Sequence, residues 1–468
     1  MEPLDAAAAA AYLGAPPTGR RAVVIGASLA GLLAARVLAE HFDEVLLVDR
    51  GELPDGDAHR KVTPHTRHAH GLLASGKAAM EALFPGIREE WLAPGGRVGD
   101  MQQQIAFYAG RRRFASGVAG EEAIAVGRVV IEGAVRRRVL ALANVRAASG
   151  LEVDGLVLDE AAGAVRGIRL RSSDRAVAVD APAALVVDAS GRGSRLPQWL
   201  RGFGYDAPEE DKVQVDIHYA TAYFERSEDD ASGLEAVLCA ATPDCPLPAV
   251  MVGQEGGRWV VTLGGYGRDV PPLDRAGFVA RAQRLAPELA AVVARGRFVA
   301  DPIPYRFPHS QRRRYERLAR FPAGLLAFGD AISSFNPIYG QGMSVAGCEA
   351  LALRDCLAAG DHALAPRFFA RAAKIVDIAW NTAVGADLSI PSVEGPRPLP
   401  VRLINAYVAR VFEAAQHDPQ VARAFLRVAH LLEPPPSLMA PRMLARVAGA
   451  AWRRRRGATA AVAAAGAA

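Results

Sequence analysis

Four short, wholly apolar runs punctuate the chain, each followed by glycine or an acid: residues 22–25 (AVVI) before Gly26, 45–48 (VLLV) before Asp49, 185–187 (LVV) before Asp188, and 325–328 (LLAF) before Gly329. Apolar runs this short, bounded by turn residues, predict strands buried on both faces, as in a parallel sheet. Between the first two, residues 29–41 are rich in Ala and Leu and predict a helix, giving a βαβ unit. The chain is polar and turn-rich from Gly51 to Leu72; helices are predicted at 72–92 and 129–142, and several short strands at 145–179. From Val213 the texture changes: Val213, Val215 and Ile217 alternate with polar residues, Tyr219 and Tyr223 follow, then a strand at 259–263 (WVVTL). This predicts an antiparallel sheet with one wet face. A helix is predicted at 341–357, and the rest to about 448 reads as mostly helical.

The predicted fold class is α/β: a discontinuous, Rossmann-like dinucleotide-binding domain (21–204 and 311–360) with an inserted sheet-based substrate domain (205–310). A flexible arm (1–20), a C-terminal helical region (361–450) and a basic, Ala-rich tail (451–468) complete the division.

With 468 residues, 51% apolar and 22% charged, the chain has an ordinary globular composition for two or three domains. Its formal charge is only +5, and the arginine runs at 111–113, 136–138, 312–314 and 453–456 are scattered, without interleaved aromatics. Most of them read as solvated surface, and no nucleic-acid partner is expected. Cysteines 239, 245, 348 and 356 form no CxxC pair and no zinc spacing, which fits a reducing cytoplasm. The N-terminus carries acids and alanines where a signal peptide needs bases and a strong apolar core, and no apolar run reaches the roughly 20 residues of a membrane span. A soluble, cytoplasmic protein is expected. Residues 438–456 mix Leu, Met, Val and Trp452 with arginines, which suits either an interfacial membrane helix or a docked surface helix.

Gly26-Ala27-Ser28-Leu29-Ala30-Gly31 lies between a strand and a helix. A dinucleotide cradle asks for a tight turn, close approach of backbone to the pyrophosphate, and a helix N-terminus facing the phosphates. Ser28 replaces the middle glycine, but it is small and can donate a hydrogen bond. Asp49, 23 residues after Gly26, stands where ribose hydroxyls need an acceptor. The motif alone does not separate NAD from FAD. Further on, Gly329-Asp330 ends a buried strand, with Pro337 seven residues after Asp330, and then Gly340-Gln341-Gly342-Met343. A distant Gly-Asp is useful only to a ligand that reaches across the domain, as FAD does.

With these motifs, residues 20–360 resemble the group A FAD-dependent monooxygenases, whose fold is the glutathione-reductase-2, p-hydroxybenzoate-hydroxylase type. The resemblance implies that Asp330 contacts the ribityl or pyrophosphate part of FAD. It also implies that the helix start at Gly340, Gln341, Gly342 and Met343 faces the pyrimidine edge of the isoalloxazine. Asp188 and Gly191 resemble the family's middle fingerprint, with Ser190 in place of its usual Asp; Ser333 and Ser344 likewise replace the usual His and Asn. By the same resemblance Arg128 contacts FAD from a helix start, Arg67 and His68 lie in a loop beside the flavin, and Asp49 and Arg50 take the adenosine end. Within the family the chain is most similar to bacterial squalene-epoxidase-like enzymes, including the polyene epoxidases of polyether biosynthesis. The segments that carry this are Arg67-His68-Ala69-His70-Gly71-Leu72, residues 187–195 and residues 334–344.

The implied activity inserts one oxygen atom of O2, by way of a flavin C4a-hydroperoxide, into an alkene of a large apolar polyketide or isoprenoid in secondary metabolism. Aromatic hydroxylation, a geranylgeranyl-reductase-like reduction and a redox-neutral, lycopene-cyclase-like reaction are the alternatives. Flavin-dependent halogenation is disfavoured because Trp259 is not in that class's Trp-x-Trp-x-Ile-Pro segment. NAD(P)H is the expected reductant, directly or through a separate flavin reductase, and Ser190 leaves direct use open. No acid–base triad is needed, since the flavin carries the chemistry. Tyr219, Tyr223, Tyr305, Phe307 and Phe335 are the candidate substrate contacts, Tyr305 and Phe307 being equally readable as core. His59, His65, His68 and His70 have no carboxylate or thiolate partner close in sequence, and no metal site is expected.

Overall fold

The computed structural model describes residues 12–13, 17, 19–172, 178–227, 230–450 and 452. Most of the arm 1–20 and of the tail 451–468, including Arg453 to Arg456, lies outside the described residues. The chain forms two compact units, one of Met1–Pro94, Gly127–Val213 and His309–Ala379, the other of Gly95–Val126, Gln214–Pro308 and Trp380–Ala468.

The first unit is built on a parallel sheet of β1 (Arg21–Ile25), β2 (Glu44–Asp49), β3 (Val145–Ser149), β4 (Leu185–Asp188) and β5 (Leu325–Ala327), in the order β5-β4-β1-β2-β3. Val23 pairs with Val186 on one side and Leu46 on the other, and all three are fully buried. The four apolar runs are therefore strands covered on both faces, as their composition requires. Helices α1 (Leu29–Leu38), α2 (Ala74–Leu83), α3 (Arg128–Leu140) and α4 (Gly342–Ala358) belong to this unit, with α1 packed on both α3 and α4. Leu32 and Leu33 of α1 are fully buried, each contributing about 2 kcal/mol by leaving water. β1 has its sequence neighbour β2 on one side and β4 on the other, so the crevice at their carboxyl ends is a topological switch point.

Three expectations change here. The helix expected over 72–92 is two, Ala74–Leu83 and Ile87–Leu92, because Pro85 is followed by Gly86 at φ +82°, which breaks the helical path. The strand Val145–Ser149 completes the parallel sheet as an edge, where half-buried Arg146 and Ser149 spoil the apolar signature. The arginine runs are only partly solvated: Arg136, Arg312 and Arg313 are buried at 3%, 1% and 5% exposure. Arg312 pairs with Asp377 (2.5 Å) and Arg313 with Glu210 (3.0 Å), which offsets the cost of their burial.

The second unit holds a mainly antiparallel sheet in which the strands Glu210–Glu225, Arg258–Tyr266, Ala249–Gln254 and Ala236–Ala240 are successive neighbours. Ala236–Ala240 then pairs in parallel with Ile105–Ala109. That pairing draws residues 95–126 into this unit rather than the dinucleotide-binding domain expected from sequence. Residues 361–450 do not form a separate region either. The chain changes unit at Ala379, and Val411, Ala414, Val421 and Val447 share a buried cluster with Phe114. One sheet face, with Ala220, Ala222, Phe224, Met251, Trp259, Val261 and Leu263, packs on the helices Arg275–Ala282 and Pro287–Arg295. Neither helix was expected in a sheet-based domain, yet their starts are orthodox: Asp274 caps the first through Gly277 N–H (2.7 Å), and Pro287 opens the second. By alternation, Tyr219, Thr221, Tyr223 and Thr262 occupy the opposite face. In the C-terminal segment Leu438 and Val447 are buried while Met439 and Leu444 are exposed. No helix of the described residues is long and apolar enough to cross a membrane.

Candidate functional site

The first turn is built by glycines that no other residue could replace. Gly26 has φ +99°, and a Cβ there would sit 2.6 Å from the Ala189 carbonyl oxygen after β4. A Cβ on Gly31 would sit 1.8 Å from the Gly26 carbonyl oxygen, so α1 can close on the end of β1 only with glycine. Ser28 is the N-cap residue of α1, but its side chain does not cap the helix; its hydroxyl donates to Glu132 Oε2 of α3 (3.1 Å). The Ser28 side chain thus takes none of the first-turn N–H groups of α1, the arrangement that receives phosphate oxygens.

Asp49, at the end of β2, is 8% exposed and held from three directions. Its Oδ2 accepts from Ala27 N–H (2.7 Å), and its Oδ1 from Gly51 N–H (2.8 Å) and Arg60 Nη2 (2.5 Å). Arg60 also donates through Nη1 to the Ala27 carbonyl and through Nε to the Glu52 carbonyl, both at 3.1 Å. This buried arginine ties the loop after β2 to the first turn. Sequence reasoning missed it, because one arginine in a polar loop carries no pattern. Arg50 is exposed beside it.

The second turn meets the first in space. Gly329, at φ +62°, places a would-be Cβ 2.7 Å from the Ala30 side chain. Asp330 is open to water, and its Oδ1 lies 3.9 Å from the Cβ position of Gly342, so the carboxylate sits beside the N-terminus of α4. Crowding by protein raises the Asp330 pKa, against the lowering charges of Arg128 and Arg192. Pro337 and Gly342 are exposed, Met343 is buried, and Gln341 is 3% exposed with its Oε1 lacking a hydrogen bond. Gly340, at φ +65°, lies against Gly71, whose carbonyl oxygen is 3.4 Å from the Cβ position. Beneath the turn, Glu349 of α4 is fully buried; its Oε2 accepts from Gly329 N–H (2.8 Å). Burial pushes its pKa up to about 8, the Gly329 N–H lowering and Asp330 raising it, so the group is protonated at neutral pH. Glu349 is a second residue that the sequence did not single out.

Arg128 opens α3, its guanidinium held by Glu132 (3.1 Å) and 3.4 Å from the Ser28 hydroxyl. Its charge reaches His65 and His70 as well as Asp330. Burial and Arg128 lower the His65 pKa to about 4; burial and Arg67 do the same to His68. Arg67 is exposed, and the His68 side chain is buried. Of the sequence-derived candidates, Gly26, Ser28, Leu29, Ala30, Gly31, Asp49, Gly329, Asp330, Gly342 and Arg128 thus come together at one end of the parallel sheet.

Asp188 requires correction. It is fully buried, with Oδ1 accepting from Ser190 N–H (2.9 Å) and Oδ2 from Ser194 Oγ (2.5 Å). Its carboxylate shapes its own loop and presents no surface to a ligand, while Gly191 (φ +87°) has open space at its Cβ position. The departures at Ser333 and Ser344 also have internal partners: Ser333 Oγ donates to the Gln311 carbonyl (3.3 Å), and Ser344 Oγ accepts from Leu73 N–H (3.2 Å).

Among the substrate candidates, Tyr219 and Tyr305 stack with centroids 6.1 Å apart and planes 10° from parallel, and Tyr223 is half-buried. Phe307 is 3% exposed. Phe335 is buried in the first unit, and the other four belong to the second.

No protein-family model matches the chain. Three solved structures share its fold. A flavin-dependent brominase, Bmp2, is 15% identical with TM-score 0.64, covering 93% of this chain and 99% of its own. The p-nitrophenol 4-monooxygenase PnpA of Pseudomonas putida DLL-E4 is 19% identical with TM-score 0.59, covering 89% and 100%. PqsL of Pseudomonas aeruginosa, a probable FAD-dependent monooxygenase, is 19% identical with TM-score 0.59, covering 79% and 97%. Protein Rv3254 of Mycobacterium tuberculosis (strain ATCC 25618 / H37Rv) is 35% identical over 434 residues, 88% of this chain and 90% of its own length. The chain has the α/β fold of the flavin-dependent monooxygenases and belongs to the family of Protein Rv3254.

Proposed function

We propose that the chain is an FAD-dependent monooxygenase that transfers one oxygen atom from O2 to an apolar organic substrate. One observation carries the reading: two glycine-built turns from distant parts of the sequence, 26–31 and 329–342, meet at the carboxyl edge of a single parallel sheet. A mononucleotide needs only the first turn. A ligand that uses both must be long, polar along its middle and flat at one end, which fits FAD. The unpartnered Oε1 of Gln341 and the close approaches at Gly26, Gly31 and Gly329 are features of a cradle rather than of a plain core.

In this reading the N-terminus of α1 takes the pyrophosphate, and Asp49, held by Arg60, takes the adenosine ribose. Asp330 accepts from hydroxyls of the ribityl chain. The N-terminus of α4 places its positive dipole end against the ring, where it favours negative charge. Arg128 and Arg192 supply positive charge along the same path. Bound FAD supplies the electron transfer and oxygen activation. NAD(P)H is the proposed electron source, directly or through a separate flavin reductase.

We propose alkene epoxidation of a large apolar polyketide or isoprenoid over phenol hydroxylation. The latter asks for a base to deprotonate the ring, and none of Tyr219, Thr221, Tyr223 and Thr262, which share one face of the second unit's sheet, is a carboxylate or an imidazole. The test is anaerobic reduction of the FAD-loaded protein followed by rapid mixing with O2. Reoxidation with hydrogen peroxide release, diverted to single-oxygen mass gain when polyenes are present, is the expected result. Reoxidation that releases only peroxide, with no single-oxygen mass gain in any polyene or phenol offered, would contradict the monooxygenase reading.

A further inference from the structure

His70 lies in a segment clamped to α4. Leu73 N–H donates to Ser344 Oγ (3.2 Å), and the Gly71 carbonyl oxygen is 3.4 Å from the Cβ position of Gly340. The imidazole Nδ1 is 2.9 Å from the carbonyl oxygen of His68. A carbonyl can only accept, so Nδ1 carries the hydrogen, and in the neutral ring Nε2 must then be a bare lone pair. The ring is neutral, because burial and the charge of Arg128 both disfavour protonation. Among the described residues no hydrogen bond reaches Nε2, and the side chain is only half-buried. His65 is its ring neighbour, with centroids 6.0 Å apart, and cannot serve as a charged donor, since burial and Arg128 hold it neutral as well. A fixed tautomer with an acceptor at Nε2 thus lies within reach of the Arg128 charge and next in sequence to Gly71, which contacts the turn at 340–342 that Asp330 flanks.

We propose that Nε2 of His70 accepts a hydrogen bond from a ring N–H of the bound isoalloxazine, making His70 a cofactor-positioning residue of this site. The inference rests on the FAD reading and adds a specific contact to it. The turn at 340–342 marks the ring end of the cradle and Asp49 the adenosine end; His70 lies at the former. A flavin offers N3–H in every redox state and N5–H, joined by N1–H in the neutral hydroquinone, only after reduction. An acceptor facing N5–H favours the reduced form and raises the midpoint potential.

The test is His70→Asn in the full chain. Its side-chain N–H can keep the bond to the His68 carbonyl, while nothing occupies the position of Nε2. FAD affinity, the visible flavin spectrum and the midpoint potential are measured on wild type and variant. The expected result is an unchanged thermal midpoint of the apoprotein, with FAD affinity about tenfold weaker or, for an N5–H contact, a lowered potential, and a shifted flavin band. His70→Gln, which brings an amide oxygen near the Nε2 position, is expected to restore most of the loss. Unchanged affinity, spectrum and potential overturn the proposal. Weakened affinity with spectrum and potential unaltered overturns the ring contact, because the bond is then to the ribityl chain. Should His70→Asn fail to fold, the wild-type ¹⁵N spectrum decides: FAD must move the Nε2 resonance, and a resonance that stays put overturns the proposal. Wild type that binds no FAD at all removes the parent reading together with this one.

Discussion

The two units bury different things. In the first, charged and polar groups go inside at the ends of strands: Asp49 with Arg60, Glu132 with Arg128, and Glu349 under Gly329. In the second, the core around Trp259, Phe224 and Phe278 is apolar, and most ion pairs, such as Arg112–Asp244, Arg275–Asp301 and Arg297–Glu225, lie in solvent. Arg281, tied to Asp269 and to the Gly264 carbonyl, and Arg226, paired with buried Glu235, are exceptions. Burying a charge costs free energy that pairing only partly returns, so an apolar core is the cheaper way to stability. The first unit keeps its buried charges where backbone N–H groups, glycine turns and a helix N-terminus converge, which is where a polar ligand would need fixed partners. One region is organised to fold; the other is organised to hold something.

Four substitutions sharpen or break that contrast. Trp259→Ala has the largest expected effect on stability, about 3–5 kcal/mol by denaturant unfolding, because Trp259 is fully buried. At temperatures where this variant is folded, its FAD affinity should match wild type; a large loss would end the contrast. Gly31→Ala forces a Cβ against the Gly26 carbonyl and should cost about 2–3 kcal/mol, with FAD affinity down by at least about tenfold in calorimetric titration.

Glu349→Gln tests the buried acid through pH. The Glu349 pKa is about 8 in the fold against 4.5 for an ordinary glutamate, so the unfolded chain releases this proton first. Its contribution is full below the unfolded value and is lost as pH rises through the folded one. The variant, which cannot ionise, should gain on the order of 2 kcal/mol over wild type between pH 5 and 9, measured by chemical denaturation across that range. Parallel pH profiles would mean that Glu349 ionises freely. The smallest effect is expected for Arg128→Ala, a roughly tenfold loss of FAD affinity at low salt that narrows as salt screens the phosphates. A salt-independent loss would point to packing instead of charge.

The parallel sheet was legible because a strand covered on both faces leaves a wholly apolar run, and the two turns because Gly26, Gly31 and Gly329 stand where a Cβ collides. Arg60, Glu132 and Glu349 were not legible. An arginine in a polar loop or a glutamate within a helix looks like solvated surface, and only tertiary packing buries it. Asp188 misled for the opposite reason: its place after a buried strand is that of a ligand contact, but its oxygens close on Ser190 and Ser194. The membership of residues 95–126 was hidden because it follows from a parallel pairing between strands distant in sequence, on which local pattern is silent. Likewise the helices at 275–295 lay inside a stretch whose flanking alternation favours sheet; their signals were Asp274 and Pro287.

The central claim is that the two turns form one FAD site. Calorimetric titration of the apoprotein with FAD, FMN and NAD⁺ tests it directly. The account predicts one FAD per chain with a dissociation constant of about 1 μM or below, and binding at least about tenfold weaker for FMN and for NAD⁺, neither of which can engage both turns. NAD⁺ binding as tightly as FAD, or no FAD binding at all, would contradict it.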